Sequence, residues 1–69
     1  SRIALSDAGV GATLLKSAMQ GASLNVYINT KSMKDRKRAE ELNQLADSLR
    51  EEYEAKADRI FAEVSSRIR

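Results

Sequence analysis

The second half of the chain contains no residue that breaks a helix. From Ser32 to Arg69 the sequence runs for 38 residues without glycine or proline, the two residues that most destabilise the interior of an α-helix. At about 1.5 Å per residue, a helix of this length extends for roughly 50 to 55 Å. The sequence therefore predicts one long helix over about residues 33–68.

The apolar residues of this segment recur at intervals of three or four positions. Such spacing places them along one side of a helix; the stripe consists of Leu42, Ala46, Leu49, Tyr53, Ala57, Ile60, Val64 and Ile68. Within it, Leu42, Tyr53 and Val64 repeat every 11 residues. An 11-residue period favours straight or slightly right-handed packing of helices over a left-handed coiled coil.

The first part of the chain carries a second helical pattern. Small and apolar residues follow at intervals of 4, 3, 4 and 3, namely Ala8, Ala12, Leu15, Met19 and Ala22. Ser6 and Asp7 precede them and provide a capping oxygen and a negative charge, both of which favour a helix start. We therefore expect a first helix over about residues 7–28.

Three glycines fall within this first helix, and each costs about 1 kcal/mol relative to alanine. In one interpretation the first turn frays at Gly9 and Gly11, and the helix weakens near Gly21. In the other, small residues form a flat face that another helix approaches closely: Gly11, Ala12, Ala18 and Ala22.

The segment before the turn is ambiguous. Leu24, Val26 and Ile28 alternate with polar or aromatic residues, a pattern typical of a strand. A strand over Leu24–Thr30 would have to pair with the same strand of another subunit, because the chain offers no second candidate. Helix is therefore favoured, followed by a turn at about residues 29–32, where Ser32 and Asp35 resemble a capping box and Thr30 is an alternative cap.

Together these segments predict an all-α fold. We expect one domain over residues 1–69, an oligomeric helical hairpin with a short or glycine-interrupted first helix. A short first helix would cover the long one only from Leu42 to Leu49. The predicted oligomer interface is therefore the distal stripe: Leu49, Tyr53, Ala57, Ile60, Phe61, Val64 and Ile68.

The residue types that the chain lacks limit the functions that it can have. The chain has no cysteine and no histidine, which excludes disulfides, thiolate nucleophiles, Cys/His zinc sites and the usual general base at neutral pH. A 69-residue chain also has little core of its own and depends on association for stability. We therefore expect no catalytic, metal or cofactor site, and as partners copies of the same chain or a larger structural protein.

Charge is distributed unevenly along the chain. Residues 1–38 carry +5 and residues 39–69 carry −3. A basic collar stands at the start of the long helix, with candidate phosphate contacts at Lys31, Lys34, Arg36, Lys37 and Arg38. The alternative function is accordingly a small nucleic-acid-binding regulator. A ribbon-helix-helix arrangement is disfavoured, because it requires a break between two helices after the strand and residues 32–69 offer none.

No apolar run approaches the 18 or so residues of a membrane span, and the N-terminus lacks the segments of a signal peptide. Because the sequence starts at Ser1, we expect a processed product or a part of something larger. A virion or the cytoplasm is the favoured location, and a secreted filament or pilus subunit is a further alternative.

Residues 17–68 combine a small-residue helix, the connection from Asn29 to Asp35, and an acidic Leu/Ala-rich helix that reaches Ala57 to Phe61. In this pattern the chain resembles the all-helical head-to-tail connector (adaptor) proteins of tailed bacteriophages. The resemblance implies a ring subunit of the virion neck that docks on a portal and performs no catalysis. The distal half of the long helix, which lacks a partner within the chain, predicts a non-enzymatic structural assembly subunit, and the resemblance agrees with that function.

Overall fold

The computed structural model describes all 69 residues as two antiparallel helices. Helix α1 spans Arg2–Lys31 and helix α2 spans Arg36–Ile68, so the predicted all-α helical hairpin is confirmed. The helices lie side by side in a rod that measures 52 by 14 by 12 Å. Neither of them combines the length and the hydropathy that a membrane crossing requires.

Helix α1 begins at Arg2, ahead of the start that Ser6 and Asp7 led us to expect. Its cap is Ser1, whose Oγ accepts a hydrogen bond from the Ala4 N–H at 3.2 Å. This bond satisfies one of the amide groups that lack an intrahelical partner in the first turn. The helix therefore reaches the end of the rod.

The glycines do not interrupt α1, and the predicted fraying at Gly9 and Gly11 is wrong. Gly9 is buried, and a Cβ atom placed on it would lie 3.0 Å from Val64 Cγ1. Contact with α2 thus offsets the low helix propensity of Gly9. The alternative flat face is not the contact surface either, since Ala12 is buried between the helices while Ala18 and Ala22 are exposed.

The strand-like segment is the last part of α1. Thr30 is buried there, and its Oγ1 donates to Asn43 Oδ1 of α2 at 2.6 Å. Ser23 is also buried, and its hydroxyl donates to the Met19 carbonyl oxygen at 2.9 Å. Packing on α2 and these local bonds override the strand propensity of the alternating pattern.

The connection lies at residues 32–35, later than the predicted 29–32. Ser32 ends α1, and Asp35 caps α2 by accepting from the Arg38 N–H at 3.0 Å. Asp35 is thus the N-cap itself and not the third helical residue of a capping box begun by Ser32. Helix α2 accordingly starts at Arg36 instead of near residue 33.

The length of α1 changes the expected partner of α2. Because α1 contains 30 residues, it lies against both halves of α2. Ala57 and Val64 of the distal stripe are buried against it. The expectation that residues 53–68 have no partner within the chain is therefore wrong.

Candidate functional site

One edge of the hairpin carries a row of polar side chains that join the two helices. Lys16 Nζ of α1 lies 2.6 Å from Asp58 Oδ1 of α2. One turn further along, Gln20 Nε2 donates to Glu54 Oε2 at 2.5 Å. Because the helices are antiparallel, residue numbers that increase along α1 pair with residue numbers that decrease along α2.

The row continues at Tyr27, whose hydroxyl donates to Asp47 Oδ1. Arg50 links this pair to the rest of the row. Its Nε lies 3.4 Å from the Tyr27 hydroxyl and its Nη1 donates to Glu54 Oε1 at 2.7 Å. We call the whole set the polar row: Lys16, Gln20, Tyr27, Asp47, Arg50, Glu54 and Asp58.

These contacts shift the protonation of three members of the row. The hydrogen bond from Gln20, followed by the bond and charge of Arg50, lowers the pKa of Glu54. The bond to Asp58 raises the pKa of Lys16. The Tyr27 hydroxyl and then Glu54 raise the pKa of Arg50. All three shifts favour the charged forms, so Lys16, Arg50 and Glu54 are held ionised at neutral pH.

An apolar groove lies on the same edge, next to the polar row and nearer to the open end of the hairpin. It has a volume of about 300 Å³. Its apolar walls are Val10 and Leu14 from α1 and Phe61, Val64 and Ile68 from α2, with Ser6, Gly9, Thr13 and Ser65 completing the lining. Thr13 and Phe61 also border the space beside Lys16 and Asp58. An apolar surface and a charged row are therefore continuous along one edge.

The structure separates the residues predicted as an oligomer interface. Ala57 and Val64 are buried between the helices, whereas Phe61 and Ile68 line the apolar groove. Leu49 lies on the opposite edge beside Met19 and Val26. The remaining two, Tyr53 and Ile60, are partly exposed. These residues do not form one continuous surface, and their role in association stays a prediction.

The basic collar is divided as well. The Arg36 guanidinium donates to the carbonyl oxygens of Thr30 at 2.7 Å and Met33 at 2.9 Å, and lies 3.3 Å from that of Lys31. Arg38 pairs with Glu41 at 3.2 Å. The side chains of the other members, Lys31, Lys34 and Lys37, are exposed to solvent. Arg36 therefore closes the end of α1, and phosphate contact by the collar stays a prediction.

Sequence reasoning missed the polar row, although a signal for it exists. Lys16, Gln20 and Tyr27 are separated by four and seven residues, and Asp47, Glu54 and Asp58 are separated by seven and four. Because the spacings on α2 are those of α1 in reverse order, the two sets of side chains lie opposite one another in an antiparallel hairpin. On one helix alone the spacing of the α2 carboxylates indicates no site, because their partners lie on α1.

Comparison with known proteins identifies the family. Residues 1–48 match the formiminotransferase-cyclodeaminase family. The matched segment comprises all of α1 and the first part of α2, more than two thirds of the chain. The chain belongs to the formiminotransferase-cyclodeaminase family.

A relative of this formiminotransferase-cyclodeaminase chain has an enzymatic name. It is the methenyltetrahydrofolate cyclohydrolase of Methylorubrum extorquens, which is 38% identical over 64 residues. The aligned residues cover 93% of this chain and 31% of the relative, so the chain spans about a third of that protein's length. No solved structure matches the chain.

These findings overturn four predictions about the formiminotransferase-cyclodeaminase chain. The resemblance to phage head-to-tail connectors is wrong, and so are the virion setting and the role as a structural assembly subunit. The alternatives of a nucleic-acid-binding regulator and a secreted filament gain no support. The prediction that the chain is not an enzyme is also contradicted, because both the family and the relative bear the names of enzymes.

The two errors have different physical origins. The connector resemblance was based on the general pattern of a helical hairpin, which unrelated helical proteins share. The exclusion of catalysis assumed that all reacting groups lie within these 69 residues. Since the chain spans about a third of its relative, the absence of histidine and cysteine from it does not bear on the reacting groups of a longer domain.

Proposed function

We propose that this chain is the two-helix part of a folate-acting domain that hydrolyses a methenyl bridge. The family match over residues 1–48 is the observation that carries the proposal. The matched segment contains Lys16, Gln20 and Tyr27 with one of their α2 partners, Asp47. The name of the Methylorubrum relative supplies the substrate and the reaction class.

The chemistry of that reaction suits a charged row beside an apolar groove. A methenyl bridge joins two nitrogens and carries a positive charge, which carboxylates such as Glu54 and Asp58 stabilise electrostatically. Addition of water to the bridge carbon releases a proton. Asp58, which borders the space beside Phe61, is the carboxylate of the row suited to receive it.

The groove provides the other half of the proposed binding surface. Phe61 and Val10 border a space of about 300 Å³, at the lower end of the size range of ligand pockets. A flat aromatic ring fits against such walls, with its polar end directed toward Lys16 and Asp58. The groove is open to solvent, so we assign the remaining walls to further chain of the domain.

The proposed partner is accordingly the rest of a domain of this family. Large apolar side chains remain exposed on both helices, including Leu15, Leu45 and Phe61. Exposure of this extent marks a surface that another segment covers. The proportion of the relative that the chain spans, 31%, leaves ample chain for this role.

A chimera tests the proposal. The segment of the Methylorubrum cyclohydrolase that aligns with this chain is replaced by the 69-residue sequence, and hydrolysis of methenyltetrahydrofolate is followed by its absorbance. We expect hydrolysis by the chimera and its loss when Glu54→Gln and Asp58→Asn are combined. A folded chimera without activity would contradict the proposal.

A further inference from the structure

The two ends of the apolar groove differ in charge. At the inner end, the Lys16 ammonium is paired with the Asp58 carboxylate at 2.6 Å. At the open end stands Arg2, four residues before Ser6 of the groove lining. Arg2 is exposed and takes part in none of the ion pairs of the hairpin. An unpaired cation therefore lies at the open end of an apolar surface.

Helical spacing places Arg2 on the same side of α1 as the groove. It is separated by 4, 7 and 11 residues from Ser6, Gly9 and Thr13, which line the groove, and such intervals recur on one face of a helix. The acidic residue of α1, Asp7, follows Arg2 by five positions, an interval of about 140° around the helix. No carboxylate side chain lines the groove. The charge of Arg2 is thus not neutralised at this surface.

Two hydroxyl groups lie between the apolar walls and Arg2. They belong to Ser6 of α1 and Ser65 of α2, which face each other across the groove. Neither hydroxyl makes a hydrogen bond within the hairpin, in contrast to that of Thr13, which donates to the Gly9 carbonyl oxygen at 3.0 Å. Both serines are therefore free to bond a polar group of a ligand.

The order of these groups along the edge matches one arm of the substrate in the proposed function. In a methenyltetrahydrofolate, one of the two bridged nitrogens carries a benzoyl ring, and an amide joins this ring to glutamate. Bridge, ring, amide and carboxylate thus follow one another in the substrate. Along the hairpin the corresponding order is the charged pair, the apolar walls, the two serine hydroxyls and Arg2.

We propose that the apolar groove binds the benzoyl ring of the substrate and that Arg2 binds a carboxylate of its glutamate. Phe61 of the groove wall contacts the ring, as aromatic pairs do. The guanidinium of Arg2 is suited to hold a carboxylate through two parallel hydrogen bonds. This inference rests on the proposed function, because that function supplies the substrate.

The dimensions of the groove agree with this placement. Thr13 and Arg2 are 11 residues apart, which corresponds to roughly 16 Å along a helix. An extended benzoylglutamate is shorter than this by less than the length of an arginine side chain. At the first position of α1 a cation also opposes the helix dipole, so Arg2 does not serve the stability of its own helix.

Kinetics of the chimera with two substrates test the placement. Methenyltetrahydropteroate has the bridge and the ring of methenyltetrahydrofolate but no glutamate. We expect Arg2→Ala to raise KM for the folate about tenfold at the same kcat, because uniform binding is lost. KM for the pteroate should stay the same. Arg2→Lys should give an intermediate KM for the folate, since lysine keeps the charge and loses the paired hydrogen bonds.

Two further variants serve as controls. Arg59→Ala also removes an exposed arginine, but Arg59 borders a different depression, with Lys56 and Glu63, and both KM values should stay the same. Phe61→Ala should raise KM for both substrates, because both carry the ring. The placement would be overturned if Arg2→Ala raised KM equally for the two substrates or for neither, if Arg59→Ala had the same effect as Arg2→Ala, or if Phe61→Ala raised neither value.

Failure of the proposed hydrolysis gives a different result. A folded chimera that hydrolyses neither substrate contradicts that function, but its affinity for 5-formyltetrahydrofolate is still measurable by isothermal titration calorimetry. We expect the original sequence to bind this compound about tenfold more tightly than Arg2→Ala does, and the two proteins to bind 5-formyltetrahydropteroate equally. Equal affinities for the folate, or no binding of it, would overturn the role of Arg2.

Discussion

Gly9 of α1 lies directly against Val64 of α2, so that a Cβ on Gly9 would be 3.0 Å from Val64 Cγ1. Two residues later, a Cβ placed on Gly11 would meet no atom of α2 within 4 Å. One glycine is therefore required by packing between the helices and the other is not. Substitution by alanine distinguishes the two sites.

We expect Gly11→Ala to raise the free energy of unfolding by about 0.5 to 1 kcal/mol, because alanine has the higher helix propensity. Gly9→Ala gains the same propensity but displaces Val64, and should be neutral or destabilising. Urea unfolding followed by circular dichroism measures both variants. Equal stabilisation at the two sites would contradict the close contact at Gly9.

Removal of the Arg36 guanidinium should weaken the connection between the helices. Its bonds to the carbonyl oxygens of Thr30 and Met33 satisfy groups that α1 leaves unpaired at its end. We expect Arg36→Ala to lower the free energy of unfolding by about 1 to 2 kcal/mol. Lys37→Ala removes a neighbouring exposed cation and should change it by less than about 0.5 kcal/mol. Comparable effects of the two substitutions would show that Arg36 acts through charge alone.

The Tyr27 hydroxyl should contribute to stability through its bond to Asp47. Tyr27→Phe leaves the ring in place and removes this bond, for which we expect a loss of about 1 kcal/mol. The control is Tyr53→Phe, whose ring is partly exposed and lies beneath the Lys56 ammonium at 5.0 Å. Thermal unfolding of both variants gives the comparison, and a Tyr27→Phe chain as stable as the control would show that the hydroxyl bond adds nothing.

Stability should depend on the protonation of Glu54. Because Gln20 and Arg50 lower its pKa from the ordinary 4.5, the folded state holds the carboxylate ionised more strongly than the unfolded state does. This contribution is present above pH 4.5 and is lost as the pH falls through the lower pKa of the folded state. The urea concentration at which half of the original chain is unfolded should therefore decrease as the pH falls through this range.

Glu54→Gln should show a shallower decrease over the same range, because the substituted side chain does not titrate. Glu51→Gln, which changes an exposed carboxylate of the same helix, serves as the control and should retain the original pH profile. Identical profiles for all three chains would mean that Glu54 does not link stability to pH.

The hairpin could be predicted from the sequence because its determinants are local. The absence of glycine and proline after Ser32 and the three- and four-residue spacing of apolar residues are sufficient to define α2. The extent of α1 could not be predicted in the same way. Gly9 lowers helix propensity by itself, and only its contact with Val64 shows why the helix continues through it.

The candidate site required the register of the hairpin. Lys16 and Asp58 are 42 residues apart, and their pairing follows only when the position of the connection is known. Our predicted turn ended at residue 32, whereas α2 begins at Arg36. The chemistry of single residues could not identify the enzyme family, because the family is recognised from similarity along most of the chain and not from one reactive side chain.

We propose that this hairpin belongs to a domain that hydrolyses methenyltetrahydrofolate. The most direct test is kcat/KM for that reaction, measured on the Methylorubrum cyclohydrolase in which this chain replaces the aligned third. We predict a value within about a hundredfold of the unaltered enzyme, a loss of transition-state stabilisation of about 2.7 kcal/mol or less. An unrelated helical hairpin of equal length at the same place should give only background hydrolysis. A chimera that folds with the helical content of the enzyme but hydrolyses no faster than that control would contradict the claim.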